Sequence, residues 1–241
     1  MRPSTITSLA GVVAACSVAT AQADDLEGGV RSAAPPTLGT RRWVGDLAVD
    51  TRWMTSSSAA VAATGPLVGP RFGLSRHLLG LPLAGRRLDL AVGGRLAFGN
   101  ASGELFQRLH TEVDQAALLA GAGLRTTAWR RLSVAALVEA GAARTDLAIT
   151  EVGTGMVAVD DGGWGVLASA AVAADLEVVR SSRLAVTMGL ELGVTLAAPV
   201  AIAAMVGDGA DPDLSIATGH AALGELDTRG VRLSVSWRAG F

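Results

Sequence analysis

The last nine residues of the 241-residue chain, Leu233 to Phe241, read Leu-Ser-Val-Ser-Trp-Arg-Ala-Gly-Phe. Leu233, Val235, Trp237, Ala239 and Phe241 fall on one face of an extended chain, and Arg232, Ser234, Ser236, Arg238 and Gly240 on the other. Successive side chains of a strand point to opposite faces, so the stretch predicts a sharply two-sided strand. Its apolar face needs a cover of protein core, ligand or lipid. That need narrows the possible folds more than any other local feature.

The same alternation recurs upstream. Trp43, Gly45, Leu47, Val49, Thr51 and Trp53 oppose Asp46, Ala48, Asp50 and Arg52, and Leu88 to Phe98 alternate with Asp89, Gly93 and Arg95. Further segments at about 67–78, 113–128, 132–144, 164–178 and 184–196 bring the set to eight. Phe72 and Leu74 fit outward in the second, although Pro66 and Pro70 weaken its upper half, since proline donates no ladder hydrogen bond. The Ala-rich fourth and fifth segments suit helix by propensity, yet each glycine of the fourth would cost a helix about 1 kcal/mol. Alternation therefore favours strands there too.

Half the residues are hydrophobic and 17% are charged, with a mean hydropathy of +0.41. No apolar run after the N-terminal segment reaches the ~20 residues of a spanning helix. Apolar excess without spanning helices points to a closed barrel, in which every backbone group is satisfied between strands. A soluble, lipocalin-like barrel also alternates, but its outer face must be hydrated. Here the second face is mainly Gly, Ala, Ser and Thr with isolated charges, which suits a narrow, filled lumen. A formal net charge of −2 with interspersed signs argues against a nucleic-acid partner.

The terminal strand ending in Phe241, with the counted segments, resembles small outer-membrane β-barrel proteins of the OmpA/OmpX-like kind, without a motif of one subfamily. The resemblance implies an all-β, antiparallel up-and-down transmembrane barrel of eight strands over residues 43–241. Ten strands is the alternative, if the last loop holds a hairpin around Gly207-Asp208-Gly209. It further implies contact with outer-membrane lipid and lipopolysaccharide, use of the barrel-assembly machinery, and location in the outer membrane of a Gram-negative bacterium.

Residues 1–23 read as a secretory signal, with Ala21-Gln22-Ala23 as cleavage site. Cys16 offers a competing lipoprotein reading, and residues 24–42 read as a flexible periplasmic leader. Connections near 54–66, 100–112, 145–163 and 198–228 are long, the last three of them acidic, and those near 79–87, 128–131 and 179–183 are short and carry Arg86, Arg87, Arg130, Arg131, Arg180 and Arg183. That matches outer loops and periplasmic turns. Gly153-Thr154-Gly155 is expected to close a protruding hairpin. Trp43, Trp129, Trp237 and Phe241 are placed at the periplasmic interface, and Trp53, Phe98 and Trp164 near the outer one.

The charges of the second face need partners inside the lumen. They are Asp46, Asp50, Arg52, Arg95, Arg125, Glu139, Asp175, Glu177, Arg183, Glu191, Arg232 and Arg238, with Asp46 and Arg238 placed near the periplasmic end of the closing seam, Glu177 and Arg183 flanking one turn, and the exact pairs set by register. The expected result is a plugged lumen and a structural or surface-interaction role through the extracellular loops, with a possible extracellular protein partner. A small outer-leaflet lipid-modifying enzyme or a narrow pore is the alternative. His77 lacks a convincing acid on its face, and His110 and His220 fall in loops, so no catalytic residue is assigned. Asp208, Asp211 and Asp213 lack the spacing of a calcium loop, so neither metal nor cofactor is expected.

Overall fold

The computed structural model describes residues 42–56, 58, 62–83, 86–105, 107–155, 157–181, 183–202 and 224–241. The signal segment, Cys16, the leader before Arg42, His220, the aspartates at 208, 211 and 213, and the hairpin expected around Gly207 lie outside them.

Ten β segments follow in order: β1 (Trp43–Met54), β2 (Leu67–Leu83), β3 (Arg86–Leu105), β4 (Leu109–Trp129), β5 (Leu132–Glu151), β6 (Val157–Arg180), β7 (Ala185–Ala197), β8 (Val200–Ala201), β9 (Glu225–Leu226) and β10 (Gly230–Gly240). Eight of them close an antiparallel up-and-down barrel in the order β1-β10-β7-β6-β5-β4-β3-β2, while β8 and β9 form a separate two-residue ladder. This is the eight-stranded architecture that the resemblance implied. The ring is sealed where β1 meets β10, and the Phe241 amide donates to the Trp43 carbonyl at 3.0 Å.

Register fixes the barrel's dimensions. Stepping across the ladders from Met54 through Gly230, Thr195, Ser169, Glu139, Gly121, Gly93 and Ser75 returns to β1 at Val44, ten residues from the start. With eight strands, that shear corresponds to a tilt of about 40°, and β1 then spans roughly 28 Å along the axis.

Both Ala-rich segments are strands, with Leu118 and Val138 exposed outside and Leu119 and Ala135 buried inside. Their ladders approach so closely that a Cβ on Gly141 would collide with the Leu118 carbonyl oxygen. Pro70 lies inside β2, and the pairing to β3 lapses at Gly69–Pro70 while the pairing to β1 continues. The missing N–H is thereby accommodated.

One connection differs from expectation: 100–112 is mostly strand, closed by a short turn beyond Leu105, whereas 145–163 holds the expected hairpin, closed beyond Glu151, and in both the period-two pattern continues with its phase reversed. Outward residues become Asn100, Glu112, Asp114, Arg144 and Asp146, and the apolar residues Ala101, Val113, Leu147, Ile149 and Val159 turn inward. Gly153 and Gly155 have positive φ in the β5–β6 turn, a conformation glycine adopts without steric cost. Among the described residues four bulges interrupt the ladders, and those at His77/Leu79, Thr127/Trp129 and Glu177/Val179 lie at the end bearing the short turns.

Candidate functional site

The lumen is layered. At mid-height Glu191 of β7, fully buried, accepts hydrogen bonds from three arginines. Arg71 Nη1 and Nη2 donate to its two oxygens at 3.0 Å each, Arg238 Nη2 donates to Oε2 at 3.0 Å, and Arg232 Nη2 donates to Oε1. Arg238 also donates to Asp175, which Arg125 meets at 2.8 Å. Arg95 donates to Glu139 and stands 3.3 Å from Asp46, and Asp50 lies 3.3 Å from Arg71. Glu139 additionally accepts from Ser169 Oγ at 3.1 Å. Bidentate and charge-assisted contacts of this kind offset the desolvation of buried ions only when each group finds several partners.

Asp46, Asp50, Arg52, Arg95, Arg125, Glu139, Asp175, Glu177, Glu191, Arg232 and Arg238 all point into this lumen. Arg183 does not. It is exposed at the β6–β7 turn, and Glu177 is engaged by Arg180 instead, because the bulge at Glu177/Val179 turns the strand's end. Asp46 and Arg238 are register partners, but their ion pair is loose at 3.8 Å, and Arg238 is held chiefly by Asp175 and Glu191. Arg71, fully buried at the centre, was absent from the sequence-based set. Its inward position follows from Phe72 and Leu74 facing out.

Towards the loop end the chemistry changes. Arg52 donates to Gln115 Oε1 at 2.6 Å, and Gln115 Nε2 donates to Thr145 and Thr228 at 2.9 and 3.0 Å. Beyond that belt the described interior is mainly apolar: Leu67, Val113, Leu147, Ile149, Val159, Val200, Ile202 and Leu226 form one buried cluster with Ala62, Ala63 and Ala101, and Thr111 is buried among them. The segment before β2 and the β8–β9 ladder thus cover the inner face of the tall β3–β6 ribbon. Among the described residues this cluster forms an apolar cap over the belt.

The turn end holds a cavity of about 80 Å³ lined by Ser75, His77, Asp89, Arg125 and the glycines of β2–β4. His77 has an acid on its face after all: its Nε2 lies 3.2 Å from Asp89 Oδ1, which also accepts from Arg87. The bulge at His77/Leu79 and the β2–β3 register bring the imidazole and the carboxylate together, and a strand read alone does not reveal that. Ser75, on the same face, directs its hydroxyl to the Val44 carbonyl at 3.4 Å, so it is not oriented as a nucleophile towards His77. His110 is exposed at the start of β4. Among the described residues no group of three or more His, Cys, Asp or Glu is placed to hold a metal.

The outer surface is equally ordered. Outward positions of β1 from Trp43 to Trp53, β2 from Val68 to Leu74, β3 from Leu88 to Phe98, β4 from Ala116 to Thr126, β5 from Val134 to Ala142, β6 from Val166 to Leu176, β7 from Val186 to Leu196 and β10 from Val231 to Ala239 carry no charge. Leu118, Val166, Val172 and Leu196 are each more than 60% exposed. Trp43, Trp53, Phe98, Trp129, Trp164, Trp237 and Phe241 are all exposed towards the ends of this band, and Arg76 stacks over the Trp43 ring at 5.7 Å.

No protein-family model matches the chain, and no curated protein sequence matches it. Among solved structures, the chain is similar to the crystal structure of Ail, the attachment invasion locus protein of Yersinia pestis, at 11% identity and a TM-score of 0.38, covering 82% of this chain and 94% of that one. It is also similar to the crystal structure of Neisserial surface protein A, at 10% identity and a TM-score of 0.42, covering 83% of this chain and 97% of that one.

Proposed function

We propose that the chain is an exported outer-membrane β-barrel of a Gram-negative bacterium, with a plugged lumen and a structural or surface-interaction role exercised by its extracellular ribbon. One observation carries this reading: the apolar face points outward up to the level of Phe98 and inward beyond it. A water-soluble barrel keeps its apolar face inside along its whole length. Reversal at one level is what a chain needs when it leaves lipid for water, and the charge-free band below that level matches the about 25 Å of a transmembrane barrel. The short turns then lie in the periplasm and the β3–β6 ribbon rises outside, where Glu112, Asp114, Asp146 and Asp160 face lipopolysaccharide headgroups or an extracellular protein partner.

The ionic layer and the apolar cap together block passage, and a barrel of eight strands leaves little room beyond its own side chains. Purified protein folded into lipid is expected to migrate faster unboiled than boiled on a gel and to give no conductance of nanosiemens order in planar bilayers. Unchanged mobility on boiling, together with soluble fractionation, overturns the membrane reading. Large conductance steps from a heat-modifiable barrel overturn the plug alone.

The closing strand gives a second test. The Phe241 backbone completes the β1–β10 seam through reciprocal bonds with Trp43, and its ring is exposed to the band. Deleting Phe241 is expected to lower the amount of folded protein in the outer membrane several-fold, read by heat-modifiable migration of membrane fractions. Normal folded levels contradict a role of this residue in assembly.

A further inference from the structure

Resting on the membrane reading, we infer that the periplasmic rim of the barrel is a binding surface for the phosphate headgroups of anionic phospholipids in the inner leaflet. The observation is a cluster of cations left over after every nearby acid is accounted for. Asp89 is held by His77 and Arg87, and Glu177 by Arg180. Among the described residues, the exposed side chains of Arg130 and Arg131 in the β4–β5 turn and of Arg183 in the β6–β7 turn have no carboxylate within ion-pair distance. The two turns are neighbours in space. Arg180 Nη2 donates to the Arg130 carbonyl at 3.5 Å, and the Glu177 amide donates to the Arg131 carbonyl at 2.8 Å.

Position argues for lipid. Trp129, 73% exposed, directly precedes the arginine pair. The bulge at Glu177/Val179 leaves both Val178 and Val179 exposed just before Arg180. The cations therefore begin where the apolar band ends, at the depth of lipid phosphates, with an amphipathic indole beside them. Arginine stems lie along apolar surface while their heads reach the interface, and the guanidinium fork matches phosphate oxygens. A turn-borne basic cluster at an interface draws anionic lipid towards it.

The test uses the full barrel with Trp129 as its only tryptophan, the other four replaced by Phe, folded into vesicles of phosphatidylcholine containing a minor fraction of phosphatidylglycerol. Brominated chains are placed on one lipid or the other at the same mole fraction. Quenching of Trp129 by brominated phosphatidylglycerol is expected to exceed quenching by brominated phosphatidylcholine about twofold. Exchange of Arg130, Arg131 and Arg183 for Gln is expected to bring the ratio to one, with heat-modifiable migration unchanged. A ratio of one in the parent barrel, once it is shown to be folded, overturns the proposal and leaves the membrane reading standing. Failure to fold into vesicles at all overturns that reading and the proposal with it. Arginine-dependent co-sedimentation with peptidoglycan sacculi, combined with a ratio of one, identifies the rim as a cell-wall contact and overturns the lipid assignment.

Discussion

Replacing Glu191 with alanine is expected to destabilise the barrel by about 3–5 kcal/mol, the loss that follows when one partner is removed from a buried ion network. Glu191 is fully buried and receives Arg71, Arg232 and Arg238, three guanidiniums that are themselves almost entirely out of water. Among the lumen side chains described, Arg52, Arg71, Arg95, Arg125, Arg232 and Arg238 face Asp46, Asp50, Glu139, Asp175 and Glu191, while Asp89 and Glu177 nearer the turn end are paired with Arg87 and Arg180. The layer is close to neutral, and deleting its most connected acid leaves positive charge that no solvent reaches. Arg71→Met with Glu191→Leu removes one charge of each sign and is expected to cost less than the sum of the two single changes by about 2 kcal/mol. Denaturant midpoints of reversible folding into detergent micelles measure all five proteins: the parent, Glu191→Ala, the two single changes and the double. Additive losses, or a Glu191→Ala protein as stable as its parent, would show that these contacts do not hold the lumen together.

The alternation made the eight barrel strands legible, because lipid and lumen impose opposite demands on neighbouring residues. Three features were less readable, each for a physical reason. Arg71 sits beside Pro70, and a proline inside a strand argues against the pairing that buries its neighbour. The parity of Phe72 and Leu74 nonetheless assigns Arg71 inward. The His77–Asp89 contact depends on a register set by a bulge, and a bulge leaves no periodic trace. The continuity of the tall ribbon with the strands below it is hard to read because its apolar residues exchange faces. In β5, Val134, Ala136 and Val138 occupy even positions below the rim, and Leu147 and Ile149 occupy odd positions above it. Read as a change of phase rather than a loss of pattern, the same residues mark where, on the proposed reading, the strand leaves the bilayer. Partner choice inside the lumen was the least accessible part. Glu177 finds Arg180 rather than Arg183 across a turn whose geometry, not its composition, decides the pair.

Placing an arginine at Leu192 separates a lipid-facing band from a merely exposed one. Leu192 lies near the middle of the apolar face of β7, 58% exposed and flanked by the exposed Leu190 and Val194. If its neighbour is hydrocarbon, Leu192→Arg is expected to cost about 2–4 kcal/mol, the range for arginine at the midplane of a transmembrane barrel. On the hydrated surface of a soluble protein the same change stays within about 0.5 kcal/mol. Ser102→Arg supplies the control. Ser102 is also exposed on an outward face but stands above the rim, opposite Glu112, so a cation there meets water and an acid. Its expected cost is within about 1 kcal/mol, since the penalty for charge falls away at the interface. The difference between the two variants, taken from unfolding midpoints in lipid vesicles, cancels any general effect of arginine on strand formation. Equal costs at the two sites would mean that the band does not face lipid. A large cost at Leu192 alone would assign the reversal of the apolar face at Phe98 to the surface of a bilayer.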